Sequence, residues 1–304
     1  MTELDLLVGG FLAAAVRVAT PLLLAAIGET IAERAGVINL GLEGMMLAGA
    51  LAATLGATAA GPGAGIACAI LAGMALAAVF ALIAIGARAD QIIAGTAITL
   101  GAVGLTGTVY RQAVETGAAA VTLATLPPVM VPGLSRLPVL GPGLFSQPLP
   151  TYLALAALPL VWWFLFRTRP GLALRATGEA AAMARAAGIP TRLVRAAATV
   201  VGGGFAGLAG ATLVLAQVGS FAEKLTAGRG YVAIAIVVLG RWHPAGVALA
   251  ALLFGAATAL QFVFQALGLD VPYQLFLMLP YALTLLALAG VVGRVRAPGD
   301  LGRA

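Results

Sequence analysis

Long apolar runs follow one another along the chain, at about 6–27, 36–60, 62–86, 90–110, 151–166, 196–216, 226–241, 244–266 and 271–291. Most approach or exceed the roughly 20 residues that an α-helix needs to cross a hydrocarbon core. Lipid-exposed backbone must satisfy its own hydrogen bonds, so the runs predict helices and an all-α fold. The expected architecture is a polytopic transmembrane helical bundle of about 8–10 spans, one domain over residues 1–304. The run 226–241 is short, and Arg17 and Pro21 in the first run admit a re-entrant or interfacial segment there.

Composition agrees with this pattern. Of the 304 residues, 62% are hydrophobic and 9% charged, with a mean hydropathy of +1.06; a soluble domain carries roughly 25% charged residues. No room remains for a soluble catalytic domain. Forty glycines suit helices that pack backbone to backbone in lipid, and GGGFAGLAG, Gly202–Gly210, reads as such a packing stripe. The net charge of +6 does not point to nucleic acid, because the basic residues are banded between apolar runs. Six of the 17 Lys and Arg fall between Arg167 and Arg195, and Arg294, Arg296 and Arg303 lie in the C-terminal tail. Positive loops stay cytoplasmic, which puts both segments and the C-terminus inside. Counting back places the Arg88 turn and the Glu29–Arg34 cluster inside, and the Pro-rich stretch outside. That stretch, Thr125–Pro150, holds seven of the 16 prolines and cannot be a regular span. The loop, taken as 127–150, reads either as a passive connector or as a docking surface for an external partner. Glu3 and Asp5 stand where a secretory signal would be basic, so no cleaved signal is expected.

Within this apolar chain, GETIAERAGVINLGLEGMMLAGA, Gly28–Ala50, stands out for its charges. Ionisable groups at membrane depth are costly and tend to face a partner or a cavity. Glu29 and Glu33, four apart, would share a helix face, with Arg34 beside them as a counter-charge; the group reads as a cytoplasmic-edge cap. Asn39 and Glu43 are also four apart, among Gly36, Gly41 and Gly44, which loosen a helix. They read as a polar notch in a broken helix near a transport pathway, or equally as interhelix hydrogen-bonding groups.

Other chemistry is excluded or weak. The lone Cys68 has no disulfide partner and reads as a small buried residue. His243, the only histidine, sits beside Arg241 and Trp242 at a predicted interface and lacks partners for a metal site. No nucleophile and base have catalytic spacing, and there is no G-x-x-x-x-G-K-[ST] phosphate loop. No catalytic, cofactor-binding or metal-binding residues are therefore expected, and no ATP site. Trp162, Trp163, Phe164 and Phe166 before Arg167 read as an aromatic belt with a basic anchor.

The Gly28–Ala50 text resembles a signature of the permease subunits of bacterial ABC importers, in the branch of ribose, nucleoside and branched-chain amino acid systems. Further stretches agree in order: ADQIIAGTAITLGAVGLTG (Ala89–Gly107), LSRLPVLGPGLFSQ (Leu134–Gln147) and TAGRGYVAIAIVVLGRWHPAG (Thr226–Gly246). Within that branch they resemble the basic-membrane-protein-dependent nucleoside (purine and pyrimidine) importers. The resemblance covers nearly the whole chain. It implies a multi-pass subunit of a bacterial inner or plasma membrane, embedded in the lipid bilayer. Its implied partners are an ATP-binding ABC subunit, a second permease chain that is related but different, and an external substrate-binding lipoprotein or periplasmic protein.

Under this resemblance, 167–195 resembles the permeases' cytoplasmic coupling helix, which inserts into the ATP-binding subunit. TGEAAAMARAAGIP reads as a short helix with Thr177 as N-cap, Glu179 in the first turn, helix formers through Ala187, and Gly188 and Pro190 as the stop. Gly178, Glu179, Ala182, Met183, Gly188 and Ile189 are the expected coupling residues. Nucleosides are uncharged and partly aromatic, so a pathway with few fixed charges would suit them. Asn39, Glu43, Gln91, Thr96 and Thr99 are its candidates, although Gln91 could instead cap its helix beside Asp90. A simple sugar or a branched-chain amino acid is the alternative cargo. An ion-driven secondary transporter is the alternative class, opposed by the scarcity of intramembrane carboxylates, with only Glu43 and Asp90 as candidates.

Overall fold

A computed structural model describes residues 3–117, 122–266 and 297–303 of the chain, together with 278, 282 and 285. The predicted run 271–291 and the tail residues Arg294 and Arg296 lie outside the described residues. Helices α1 (Glu3–Arg34), α2 (Leu42–Ala60), α3 (Pro62–Ala81), α4 (Gln91–Glu115), α5 (Leu140–Leu144), α6 (Leu149–Arg167), α7 (Arg169–Glu179), α8 (Ala181–Ala186), α9 (Thr191–Thr212), α10 (Arg229–Leu239) and α11 (Pro244–Ala266) build the bundle. π-helical turns extend α3 to Gly86 and α9 to Val218. Seven of these helical segments are long and apolar enough to cross a membrane, so the chain is an all-α, multi-pass membrane protein.

The bundle centre is α9, and its packing explains the glycine content. A Cβ placed on Gly202 would lie 2.9 Å from the carbonyl oxygen of Gly28 on α1, and one on Gly207 would collide with that of Ala69 on α3. One on Gly210 would collide with the Met46 oxygen on α2. Any side chain at these places would separate the helices. In lipid no hydrophobic term drives helices together, so the gain comes from the van der Waals contact that glycine permits. Helix α3 repeats the device with one narrow buried stripe, Gly65, Ala69, Gly73, Ala77 and Phe80, and otherwise turns outward. Cys68 lies off that stripe and is exposed, which corrects its expected burial.

The first run is one helix, not a re-entrant segment. At 32 residues, α1 spans about 48 Å. Pro21 lacks an N–H and so frees the carbonyl of Arg17; Gln217 at the end of α9 fills the gap, donating Nε2 to that oxygen at 2.7 Å. The Pro-rich stretch is ordered by a two-stranded antiparallel ribbon, β1 (Val129–Met130) with β2 (Ser146–Gln147), and by α5 between them. Gln147, fully buried, donates Nε2 to the carbonyl of Gly143 at 2.8 Å, and Gly143 itself abuts Leu12 of α1.

Candidate functional site

The link between α1 and α2 carries the polar cluster. Helix α1 ends in a Schellman motif: Gly36 adopts φ +92°, its N–H bonds to the Glu33 oxygen, and the Val37 N–H bonds to Ala32. The chain then runs back alongside α1, unwound as far as Gly41. Each exposed backbone donor in such a stretch needs a partner at membrane depth. Gln91 Oε1 accepts from the Ile38 N–H and Glu29 Oε1 from the Asn39 N–H, both at 2.9 Å, while Asn39 Oδ1 takes the Gly41 N–H at 3.0 Å. Thr99 donates its hydroxyl to the Leu40 oxygen at 3.2 Å. Close approach by Gly95 to Leu40 and Gly41, and by Gly44 to Thr99, lets α4 lie against the link.

Glu43, in the first turn of α2, is buried and spends both carboxylate oxygens on α10. Oε1 accepts from the Thr226 hydroxyl and from the Gly228 N–H at 2.8 Å, and Oε2 accepts from the Gly230 N–H at 2.7 Å. An anion here meets the positive end of a helix whose first N–H groups have no internal partner. Helix α10 has 11 residues and so rises about 16 Å, roughly half of a hydrocarbon core. Its far end leads to Trp242, whose carbonyl accepts from Arg34 Nε at 2.8 Å where α1 ends. The start of α10, with Glu43 on it, therefore lies well inside the bundle.

Four of the five expected pathway residues, Asn39, Glu43, Gln91 and Thr99, thus meet around the unwound link. Thr96 does not join them; its hydroxyl bonds back to Ile92 and Ile93 of its own helix. Asp90, not Gln91, caps α4, accepting the Ile92 and Ile93 N–H groups. Glu29 and Glu33 are not an edge cap: both are buried, Glu29 holds the link, and Glu33 accepts from the Trp242 indole N–H. Glu29 Oε2 has no hydrogen-bond partner among the described residues. Arg34 does not pair with either carboxylate; besides the Trp242 carbonyl it faces the Phe166 ring at 5.9 Å. Sequence reasoning did not single out Thr226, although it opens the TAGRG stretch.

The 167–195 segment also differs from expectation. Thr177 is not an N-cap but lies inside α7, its hydroxyl on the Ala173 oxygen; Thr168 caps that helix instead. Glu179 closes α7 rather than opening a helix, and the chain breaks at Ala180 before α8. The C-terminal tail holds this break. Asp300 Oδ2 accepts the Ala181 N–H at 2.6 Å, its own N–H bonds to the Gly178 oxygen at 2.8 Å, and Gly299 donates to Glu179 at 3.3 Å. Gly178 presses on Arg34 and Gly36, while Gly302 donates to the Gly36 carbonyl. The α7–α8 break, the end of α1 and the tail are therefore one joint. Ala182 and Met183 face outward from it, Met183 at 77% exposure. Gly188, at φ +83°, ends α8 as expected, and Ile189 returns its N–H to Ala184.

Over residues 11–288 the sequence matches the family of branched-chain amino acid transport system permease components. A putative glucose ABC transporter permease protein, TsgC13 of Haloferax volcanii, is 44% identical over 86% of this chain and 79% of its own length. The guanosine ABC transporter permease NupQ of Bacillus subtilis is 38% identical, over 92% of this chain and 91% of its own. The nucleoside ABC transporter permease NupC of Lactococcus lactis is 34% identical over the same shares, 92% and 91%. No solved structure matches.

Proposed function

Because the chain belongs to the family of branched-chain amino acid transport permeases and is a permease subunit of an ABC transporter, we propose that it forms the translocation route for nucleosides. The observation that carries the substrate is its likeness, over nine-tenths of its length, to permeases named for guanosine and for nucleosides. The uncharged polar groups of Asn39, Gln91 and Thr99 around the unwound link support a route for a neutral, hydrogen-bonding solute. Glu43 does not add a free charge, since both of its oxygens are engaged by α10.

ATP binding and hydrolysis take place on a partner subunit that grips α8 through Ala182 and Met183. Gly178 and Glu179 pass its movement through the joint to α1 and the unwound link, while Gly188 and Ile189 set the far end of α8. The basic segment and the C-terminus face the cytoplasm, the 127–150 loop faces the external binding protein, and a related permease chain completes the pathway. A second reading, a simple sugar as cargo, is favoured by the 44% identity to the putative glucose permease. Competition decides between them. Cells carrying the complete transporter are given labelled guanosine with excess unlabelled uridine, adenosine or glucose. Suppression by nucleosides and not by glucose is expected; no uptake of guanosine, with labelled glucose taken up in its place, would assign the sugar.

A further inference from the structure

The turn between α3 and α4, the end of α8 and the start of α9 enclose a cavity of about 560 Å³. Arg88, Arg185, Arg192 and Arg195 line it, with no acidic residue in the lining. Arg195 is buried and fixed, its Nε on the Ala35 oxygen at 3.2 Å and a second nitrogen on the Arg303 oxygen at 2.8 Å. Arg88, Arg185 and Arg192 are exposed, and neither ion pair among the described residues includes them. The carboxylates that come near are engaged elsewhere: Asp90 accepts the Ile92 and Ile93 N–H groups, and Asp300, which faces Arg195, accepts the Ala181 N–H and pairs with Arg303. Four cations therefore converge on one cavity without a carboxylate in its wall. The first turn of α9 adds N–H groups there, with no side chain capping them.

The surroundings select the ligand. Three membrane-crossing segments meet at this cavity, Pro62–Gly86 by its end, and Gln91–Glu115 and Thr191–Val218 by their beginnings. It thus lies at the level where a bilayer passes from hydrocarbon to headgroup. Leu193 in the lining, and Leu82, Ile92 and Ile93 on the helix ends that flank the Arg88 turn, stand 54–71% exposed. An acidic protein segment would satisfy the arginines but leave those aliphatic side chains uncovered. An amphiphile with a phosphate at one end satisfies both, and basic pockets between spans take acidic lipid headgroups for this reason. We propose that this cavity binds the phosphate headgroup of an anionic phospholipid, with its acyl chains along the exposed faces of α3 and α4. Arg88 is held at φ +55°, a backbone region that favours glycine, so the turn keeps an arginine where a glycine would be easier to accommodate.

The transporter, purified with its companion subunits and stripped of lipid, is mixed with phosphatidylglycerol or phosphatidylcholine vesicles, and retained lipid is counted by native mass spectrometry. Preferential retention of phosphatidylglycerol is expected, falling about fivefold for each of Arg88→Gly and Arg192→Gln. Arg88→Gly also relaxes the backbone, so misfolding is not expected to obscure the result. Arg111→Gln, far from the cavity, should retain lipid like the parent. Equal retention of the two lipids, or no change in the two cavity variants, would overturn the proposal. Displacement by inorganic phosphate alone would assign the cavity to a free anion, and loss of the ATP-binding subunit with lipid unchanged would assign it to protein; either result also overturns it.

Discussion

At the scale of single residues, Glu43 joins two helices that are far apart in sequence. Its oxygens receive three donors from the start of α10 and the turn before it, and removing the side chain would leave those donors unpaired inside the bundle. Glu43→Ala should therefore cost about 3 kcal/mol, read as a lower melting temperature of the purified complex. Glu43→Gln keeps one accepting oxygen, and about half of that loss is expected. If melting temperature is unchanged in both, Glu43 does not hold α10. Asn39→Asp tests the pathway separately, since a charge at the unwound link should lower nucleoside uptake without reducing assembly with the ATP-binding subunit; equal loss of assembly would instead mark Asn39 as a packing residue. The sequence made Asn39, Glu43, Gln91 and Thr99 visible, because polar residues among apolar ones are conspicuous. It did not reveal which partners they meet. Thr226 is one threonine among many, and Glu29 and Glu33 look like an edge cap until the chain is seen to run back over α1.

Among elements, α7, α8 and the C-terminal tail form a joint that local sequence misreads. TGEAAAMARAAGIP has good helix formers from Glu179 through Ala187, and propensity gives one helix from Thr177 to the Gly188 stop. The break at Ala180 depends on Asp300, more than 100 residues away, capping Ala181, and on the Gly178 contact with Arg34. No local pattern carries that information. Asp300→Ala leaves the Ala181 N–H without its cap, a loss of about 1 kcal/mol, and should loosen α8 enough to raise ATP hydrolysis per molecule transported. An unchanged ratio would show that the tail does not contribute to coupling. Replacing Gly188, held at φ +83°, by a bulky residue, or Glu179 by Arg, should likewise uncouple hydrolysis from uptake while the chain stays in the membrane. Unchanged transport in both variants would exclude this segment from coupling.

Across the whole molecule, the spans were legible because lipid imposes helices of minimum length, and the runs read from the sequence fall on the observed helices to within a few residues in most cases. Long-range packing is less evident: the GGGFAGLAG stripe announces close approach but not that α1, α2 and α3 all converge on it. Gly207→Leu would drive a side chain into the backbone of α3, and loss of the assembled complex from the membrane is expected, whereas substitution of the uncrowded Gly101 should be tolerated. The most direct measurement of function is uptake by proteoliposomes holding the purified transporter with its companion subunits and binding protein. Labelled guanosine should accumulate only when ATP is supplied on the side of the ATP-binding subunit, and not when a proton or sodium gradient is imposed without ATP. Accumulation driven by the ion gradient alone, or none with ATP present, would contradict an ATP-driven nucleoside permease.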